Sequence, residues 1–200
     1  KTFLDINKKS KIYISGKAFG DYYALGANRE MSYIGLDKSL LSDRFVLTGK
    51  RYEIDKNLEL FSGVKSGMFA PSGNKSLFKK VNGNIIEDDF EHEQNLIVRE
   101  NEKTALFAGC AHRGILNIVK HMNLAFGYDA DVVIGGFHLY NPVKDISEDK
   151  DIVRLTAEEL MKTNSAYYTC HCTGMEAYGS LKEIMGDKIK YLSTGDKIII

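Results

Sequence analysis

The second half of the chain alternates apolar, strand-like runs with amphipathic, helix-like runs, and this alternation constrains the fold more than any other feature. Residues 131–134 and 166–169 are predicted strands, and residues 113–126, 151–163 and 173–185 are predicted helices. Strands that alternate with helices are typical of layered α/β proteins with parallel strands. The sequence therefore predicts an α/β fold.

Local signals predict where two of these helices end. Thr173 and Glu176 form a capping-box pattern at the start of the third helix, and Gly186 is predicted to end it. Gly127 is predicted to end the first helix, whose apolar residues fall on one stripe. A last strand is predicted over residues 197–200.

The first half shows weaker periodicity. Apolar runs with turn residues between them predict strands and one hairpin. The predicted strands cover residues 11–14, 45–48 and 58–62, and the hairpin joins residues 95–99 to residues 104–108. The rest of residues 16–84, rich in Gly, Ser, Lys and Tyr, is predicted to be a variable, loop-rich excursion.

Composition excludes several classes of protein. Two hundred residues, 44% of them hydrophobic, suit a single domain over residues 1–200. Basic and acidic residues are equal at 27 each, so no net charge attracts nucleic acid or an anionic membrane. No apolar run is long enough to span a membrane, and three cysteines fit a reducing cytoplasm better than a disulfide framework.

Three predicted strands each end in a turn that carries a histidine: His112, His138 and His171. All three cysteines lie in two of these turns. Ligands bind at the carboxyl ends of strands in layered α/β proteins, so we expect the three imidazoles to converge if the strands are neighbours. Two histidines that bind one ion should bring their ring nitrogens within roughly 3–4.5 Å of each other.

These histidines differ in their expected roles. His112 and His171 are predicted metal ligands, because each precedes a helix whose positive end favours the neutral imidazole that a metal needs. Cys110 is either a thiolate ligand or a small packing residue, and the sequence leaves both open. His138 follows a Gly-Gly pair and is assigned to orienting a ligand or transferring a proton.

Other polar residues are given surface roles. His92, within Glu-His-Glu, is predicted to lie in a solvated turn, and His121 on the polar side of its helix. Arg113 and Lys120 could meet a phosphate, but a solvated surface is the default interpretation.

A structural zinc bound by Cys110, Cys170, Cys172 and a histidine is a rival interpretation. The chain lacks the paired Cys-x-x-Cys knuckles that such sites usually have. On a strand, the two cysteine side chains that flank His171 would also point away from the His171 side chain. This interpretation is ranked below a catalytic site.

Three motifs resemble the metallo-β-lactamase fold superfamily, in its branch of metal-dependent hydrolases typified by dihydropterin ribofuranosyl-aminobenzene phosphate synthases. The motifs are Gly-Cys-Ala-His-Arg-Gly-Ile at residues 109–115, Ile-Gly-Gly-Phe-His-Leu at residues 134–139 and His-Cys-Thr-Gly at residues 171–174. The resemblance covers most of the chain, is specific after Asp88 and is thin between Gly16 and Asn84.

This resemblance implies an αββα sandwich with one or two divalent ions at one rim, with zinc expected and manganese or iron as options. His112, His171 and Cys110 would bind metal, and His138 would act as a catalytic orienter or proton donor. The implied activity is hydrolysis, or a related transfer, by metal-activated water on a phosphorylated small molecule. A pterin-like molecule is one option.

The chain also departs from the superfamily pattern. The His-x-His-x-Asp-His loop does not occur in these residues, and Lys1 begins what resembles the helix that follows it. We therefore expect the fold to be incomplete at its N-terminus, the isolated 200 residues to be inactive, and an N-terminal segment of the same fold to be the partner. Cys110 replaces a bridging aspartate, and the third histidine is His92 or His112, with the branch motif favouring His112. A metal-free binding module of the same fold is the alternative function.

Overall fold

The computed structural model describes residues 2–67 and 69–200. Helices and strands follow one another in a mixed α/β arrangement, as predicted. The helices are α1 (Thr2–Ile6), α2 (Ile115–Phe126), α3 (Lys150–Met161) and α4 (Met175–Met185). The strands are β1 (Ile12–Ser15), β2 (Asp21–Leu25), β3 (Met31–Tyr33), β4 (Phe45–Thr48), β5 (Arg51–Glu53), β6 (Leu58–Ser62), β7 (Leu77–Val81), β8 (Asn84–Glu87), β9 (Gln94–Glu100), β10 (Lys103–Phe107), β11 (Val132–Gly135), β12 (Tyr140–Asn141), β13 (Ile146–Ser147), β14 (Ala166–Thr169) and β15 (Ile189–Tyr191).

A seven-stranded sheet organises the molecule, in the order β15-β14-β11-β10-β9-β6-β5. Strands β10, β11, β14 and β15 pair in parallel, and β9, β6 and β5 continue the sheet antiparallel. The three strands that precede the histidine turns are therefore neighbours, as the site hypothesis requires. Their carboxyl ends lie at one edge of the sheet.

One face of this sheet forms the core. Leu106, Val133 and Tyr167 lie opposite one another in register on β10, β11 and β14, and each is fully buried. The apolar stripes of α2, α3 and α4 join the same core cluster, for example through Ile118 and Leu160. Burial of these stripes fixes the helices against the sheet and so positions the turns at its edge.

Replacing Ile118 with alanine should lower the free energy of unfolding by about 2–5 kcal/mol, because a fully buried side chain would leave a cavity in the core. Leu124 on the same helix is 86% exposed, so Leu124→Ala is the matched control and should change stability by less than ~0.5 kcal/mol. Urea denaturation of both variants measures the difference. Equal losses would contradict this placement of α2.

Predicted helix ends are confirmed except at the start of α4. Gly127 and Gly186 end α2 and α4 with positive φ angles of 82° and 53°. The capping box is wrong, since Gly174 precedes the helix and no side chain caps it. The Thr173 hydroxyl instead accepts a hydrogen bond from the Phe137 N–H at 2.9 Å, which ties together the turns after β11 and β14. Thr173 therefore makes a long-range hydrogen bond instead of the local capping bond that the sequence predicted.

Residues 16–84 hold more regular structure than the predicted loops. Strands β2, β3, β7 and β8 form a four-stranded antiparallel sheet in the order β3-β2-β7-β8. These strands are short and every residue of β3 and β8 is exposed, so no apolar alternation marks them in the sequence. The predicted strands at residues 45–48 and 58–62 and the hairpin of β9 and β10 are confirmed.

The C-terminal end of the chain differs from expectation, and the N-terminal end agrees with it. Residues 197–200 form no strand. The helix expected at the start of the chain is present as α1, while Lys1 lies outside the described residues. No helix within residues 2–67 and 69–200 is long and apolar enough to cross a membrane.

Candidate metal centre

The turns after β10 and β14 bring two cysteines and a histidine together. One potential ligand atom each from Cys110, His171 and Cys172 lies within 4.8 Å of the others. We call these three residues the thiol–imidazole cluster. Two sulfurs and one imidazole form a donor set that suits a borderline ion such as zinc, so the chemistry of the cluster fits a metal.

Strained backbone conformations at the histidine turns set the directions of their side chains. Ala111, His138 and His171 all have positive φ angles, of 55°, 51° and 51°. Residues other than glycine in this region cost of order 1–3 kcal/mol each, and they concentrate at functional sites. Gly136 leaves room for a ligand sulfur, because a Cβ there would lie 2.6 Å from the Cys172 Sγ.

Cys110 and Cys172 share a proton. A hydrogen bond from Cys172, helped by one from His112, lowers the pKa of Cys110 to about 4. The same bond to Cys110, together with burial, raises the pKa of Cys172. The Cys172 sulfur also lies 3.6 Å from the Cys110 carbonyl oxygen. The lowered pKa of Cys110 favours its thiolate, which is the form that binds metals.

His112 is held in one orientation and one tautomer. Its ring stacks on Phe90 with centroids 4.6 Å apart. The Asn74 Nδ2 donates to the His112 carbonyl oxygen at 2.7 Å, so the Asn74 Oδ1 is the atom that faces the ring Nδ1 at 3.0 Å. The ring Nδ1–H therefore donates to Asn74, which leaves Nε2 as the nitrogen that can contact the Cys110 sulfur. Histidines that bind metals are commonly fixed in this way.

Glu93 fixes the backbone of the same turn. Its carboxylate accepts hydrogen bonds from the N–H groups of His112 at 2.6 Å and Arg113 at 3.2 Å. Burial raises the pKa of this carboxyl. Sequence reasoning missed both Glu93 and Asn74. The Glu-His-Glu pattern was a signal for Glu93, whereas nothing near Asn74 in the sequence points to a contact 38 residues away.

His138 lies beside His112, with ring centroids 4.1 Å apart. Burial lowers its pKa to about 4, so its ring is neutral at pH 7. Its Nδ1 is buried and has no hydrogen-bond partner among residues 2–67 and 69–200. Such an atom needs a ligand or water to satisfy it.

The pKa of His138 predicts how the stability of the metal-free protein depends on pH. The folded value is lowered from 6.5 to about 4, so its contribution is full above pH 6.5 and is lost as the pH falls toward 4. The loss is at most about 3 kcal/mol. Denaturation at several pH values should show a shallower slope for His138→Gln. Other groups, including His92 and His121, whose pKa values burial also lowers, contribute to the slope that remains. An unchanged slope would contradict the assignment.

Two histidines differ from their predicted surface roles. His92 is half-buried with its ring 4.2 Å from Tyr22, and its Nδ1 lies 3.9 Å from the Asp88 carboxylate without a hydrogen bond in the described part of the chain. His121 is also half-buried and stacks on Phe61 at 5.6 Å. Both histidines have polar neighbours in the sequence, which predicted exposure. Each ring instead contacts an aromatic residue of another element, Tyr22 or Phe61.

The phosphate contacts suggested for α2 do not form a common site. Lys120 pairs with Glu159 at 3.3 Å on the surface, as the default interpretation has it. Arg113 contacts the Ser66 hydroxyl at 3.2 Å, and its Nε is buried without a partner among the described residues.

The structure does not bring together the three cysteines of the alternative structural zinc site. Cys170 is not part of the thiol–imidazole cluster, which is the one group of potential ligands found in residues 2–67 and 69–200. Cys172, which sequence reasoning used only in the rival site, lies beside Cys110 instead. His171 belongs to the thiol–imidazole cluster and His112 does not, so the predicted approach of their two ring nitrogens stays a prediction.

Known proteins share this architecture. No protein-family model matches the chain. The structure superposes on Tm1679, a metal-dependent hydrolase of the β-lactamase superfamily, with a TM-score of 0.79 and 27% identity over 96% of this chain and 73% of that one. An isothiocyanate hydrolase from Delia radicum gut bacteria aligns with a TM-score of 0.43 and 14% identity over 78% and 59% of the two chains, a likeness too low to carry an argument.

The chain therefore has a metallo-β-lactamase-type fold, which confirms the resemblance drawn from the motifs. In sequence the chain is 32% identical over 125 residues to the 7,8-dihydropterin-6-methyl-4-(beta-D-ribofuranosyl)-aminobenzene-5'-phosphate synthase of Methanocaldococcus jannaschii, which is the predicted branch. That match covers 62% of this chain and 40% of the synthase.

Proposed function

We propose that this protein is a metal-dependent hydrolase, or a related transferase, that acts on a phosphorylated small molecule, with a pterin-like molecule as one option. The observation that carries the proposal is the thiol–imidazole cluster, with its ligand atoms within 4.8 Å of one another, at the edge of a metallo-β-lactamase fold. Zinc suits two sulfurs and an imidazole better than manganese, which prefers carboxylates, and iron is the next option.

Cys110, His171 and Cys172 would hold the ion, with His112 as a further ligand through its Nε2. Asn74 supports this role, because it keeps the proton of the His112 ring on Nδ1. Bound there, a divalent ion supplies Lewis acidity to a phosphoryl oxygen and makes water a stronger nucleophile.

His138 would orient the substrate or move a proton. Its unpartnered Nδ1 is the atom available for this task, and its lowered pKa keeps the ring neutral at pH 7. A neutral imidazole can donate a hydrogen bond from one nitrogen and accept at the other.

Asn74→Ala should weaken zinc binding by about 10–100-fold, because partners that orient metal-bound histidines typically contribute that much. Asn84 on the exposed strand β8 provides the control, and Asn84→Ala should leave the affinity unchanged. Competition with a chromophoric chelator measures both. An unchanged affinity in Asn74→Ala would remove His112 from the proposed ligand set.

We further propose that a segment with a His-x-His-x-Asp-His loop completes the site, in the same polypeptide or in a partner. This chain aligns with 73% of the metal-dependent hydrolase, and Phe107 on β10 is 38% exposed, which leaves apolar surface for a further segment. Supplying such a segment in trans should raise the zinc content and the activity of these 200 residues. Equal zinc content and activity with and without it would contradict the proposal.

Hydrolysis of an activated phosphoester by these residues together with a His-x-His-x-Asp-His segment, assayed with and without a chelator, tests the function directly. The proposal expects activity that chelation removes and that zinc restores, together with bound metal in elemental analysis. A protein without bound metal and without metal-stimulated activity would instead be a metal-free binding module.

A further inference from the structure

A basic cleft of about 350 Å³ opens beside the short helix Ser72–Ser76. Three exposed cations line it, namely Arg29, Lys75 and Lys144. None of them forms an ion pair with a carboxylate of the described residues. Cations that share a cavity without counter-charges create a local positive potential, which attracts anions.

Asn141 adds a neutral donor to the basic cleft. Its Oδ1 accepts hydrogen bonds from the backbone N–H groups of Val143 at 3.0 Å and Lys144 at 3.2 Å. Its amide NH₂ is therefore the group left for a ligand. A negative charge is also near, since the Glu148 carboxylate accepts from the Ser72 N–H at 2.6 Å. The three cations outnumber the Glu148 carboxylate, so the charge at the cleft is positive on balance.

Gly73 joins the basic cleft to the candidate metal centre. A Cβ on Gly73 would lie 3.2 Å from the Nε2 of His138 and 3.8 Å from the Nδ2 of Asn141. The next residue, Asn74, holds the His112 ring. The basic cleft and the metal centre therefore lie on either side of the buried residue Gly73.

We infer that the basic cleft binds a phosphate monoester group of the substrate, separate from the bond that reacts at the metal centre. Guanidinium, ammonium and amide donors together match the several acceptor oxygens of a phosphate. Binding energy from such a non-reacting group can position the rest of the substrate. The inference rests on the proposed function, whose substrate class it narrows to molecules that carry an anchoring phosphate.

Inorganic phosphate binding to the chelator-treated protein tests the cleft by calorimetry at low salt. Arg29→Glu, Lys75→Glu and Lys144→Glu together should weaken binding at least ~10-fold, because charge-assisted hydrogen bonds are lost. The matched control reverses Lys8, Lys9 and Lys56, which are exposed and do not line the cleft. The control should bind within ~2-fold of the original protein, because the overall charge change is the same.

Phosphate binding that is absent from the original protein, unchanged in the cleft variant or equally weakened in the control would overturn the inference. Tighter binding of a single-stranded oligonucleotide than of ribose 5-phosphate would also overturn it. Thermal melts confirm that both variants fold. The readout uses no metal and no turnover. A protein that binds phosphate in the cleft but shows no hydrolase activity even with the His-x-His-x-Asp-His segment supplied would refute the proposed function and leave the cleft in place.

Discussion

His171→Ala is expected to reduce the metal-dependent kcat/KM by at least ~1,000-fold, because the loss of a ligand removes several kcal/mol of stabilisation from the transition state. His171 is exposed at the rim, so the variant should fold normally. His121→Ala is the matched control. His121 stacks on Phe61, away from the thiol–imidazole cluster, and its loss should leave activity near the original level.

Metal content and activity should fall together in His171→Ala. A variant that keeps full zinc occupancy and full activity would exclude His171 from the site. A variant that loses activity but keeps its metal would make His171 a substrate contact rather than a ligand.

Cys172→Ser is expected to weaken zinc binding by roughly 100- to 1,000-fold. A structural zinc site gains about 10–16 kcal/mol from four ligands, so one ligand contributes about 2.5–4 kcal/mol. A serine hydroxyl does not ionise near neutral pH and is a poor substitute for a thiolate. Chelator competition measures the affinity.

Cys170→Ser is the control that the chain itself provides. Cys170 is two residues from Cys172 but lies outside the thiol–imidazole cluster, so its replacement should leave zinc affinity unchanged. Equal losses in both variants, with unfolding of Cys170→Ser, would favour the structural zinc on three cysteines.

Elementary rules predicted the frame of the site. Alternating strands and helices indicated parallel pairing, and the neighbouring positions of β10, β11 and β14 follow from it. Parallel strands end at one edge, so His112, His138 and His171 were expected at one rim before any contact was known. The positions of these histidines depend on the strand and helix periodicity and on the burial of the apolar faces of α2 and α4. Both can be read from a single sequence.

The place of Cys172 in the thiol–imidazole cluster was missed for a local reason. On a strand, the side chains of Cys170 and Cys172 would both point away from that of His171, but β14 ends at Thr169 and residues 171–173 form a short helical turn. His171 also has a positive φ of 51°, which redirects the chain. The turn swings the Cys172 sulfur toward Cys110, and strand alternation no longer applies.

Long-range contacts explain the other differences. Thr173 was assigned to capping, yet it hydrogen bonds to Phe137 from a distant turn. Asn74 comes from a segment whose exposed strands gave no periodic signal, and it reaches His112 only through the tertiary fold. Such contacts depend on the packing of elements that are remote in sequence, so local patterns cannot supply them.

X-ray absorption spectroscopy of the zinc-loaded protein tests the central claim most directly, because it reports which atoms touch the metal. Cys110, Cys172 and His171 predict two sulfur scatterers near ~2.3 Å and at least one nitrogen near ~2.0 Å. The sulfur signal should fall by half in Cys172→Ser and remain unchanged in Cys170→Ser. A spectrum with nitrogen and oxygen scatterers alone would contradict a metal centre built on the thiol–imidazole cluster.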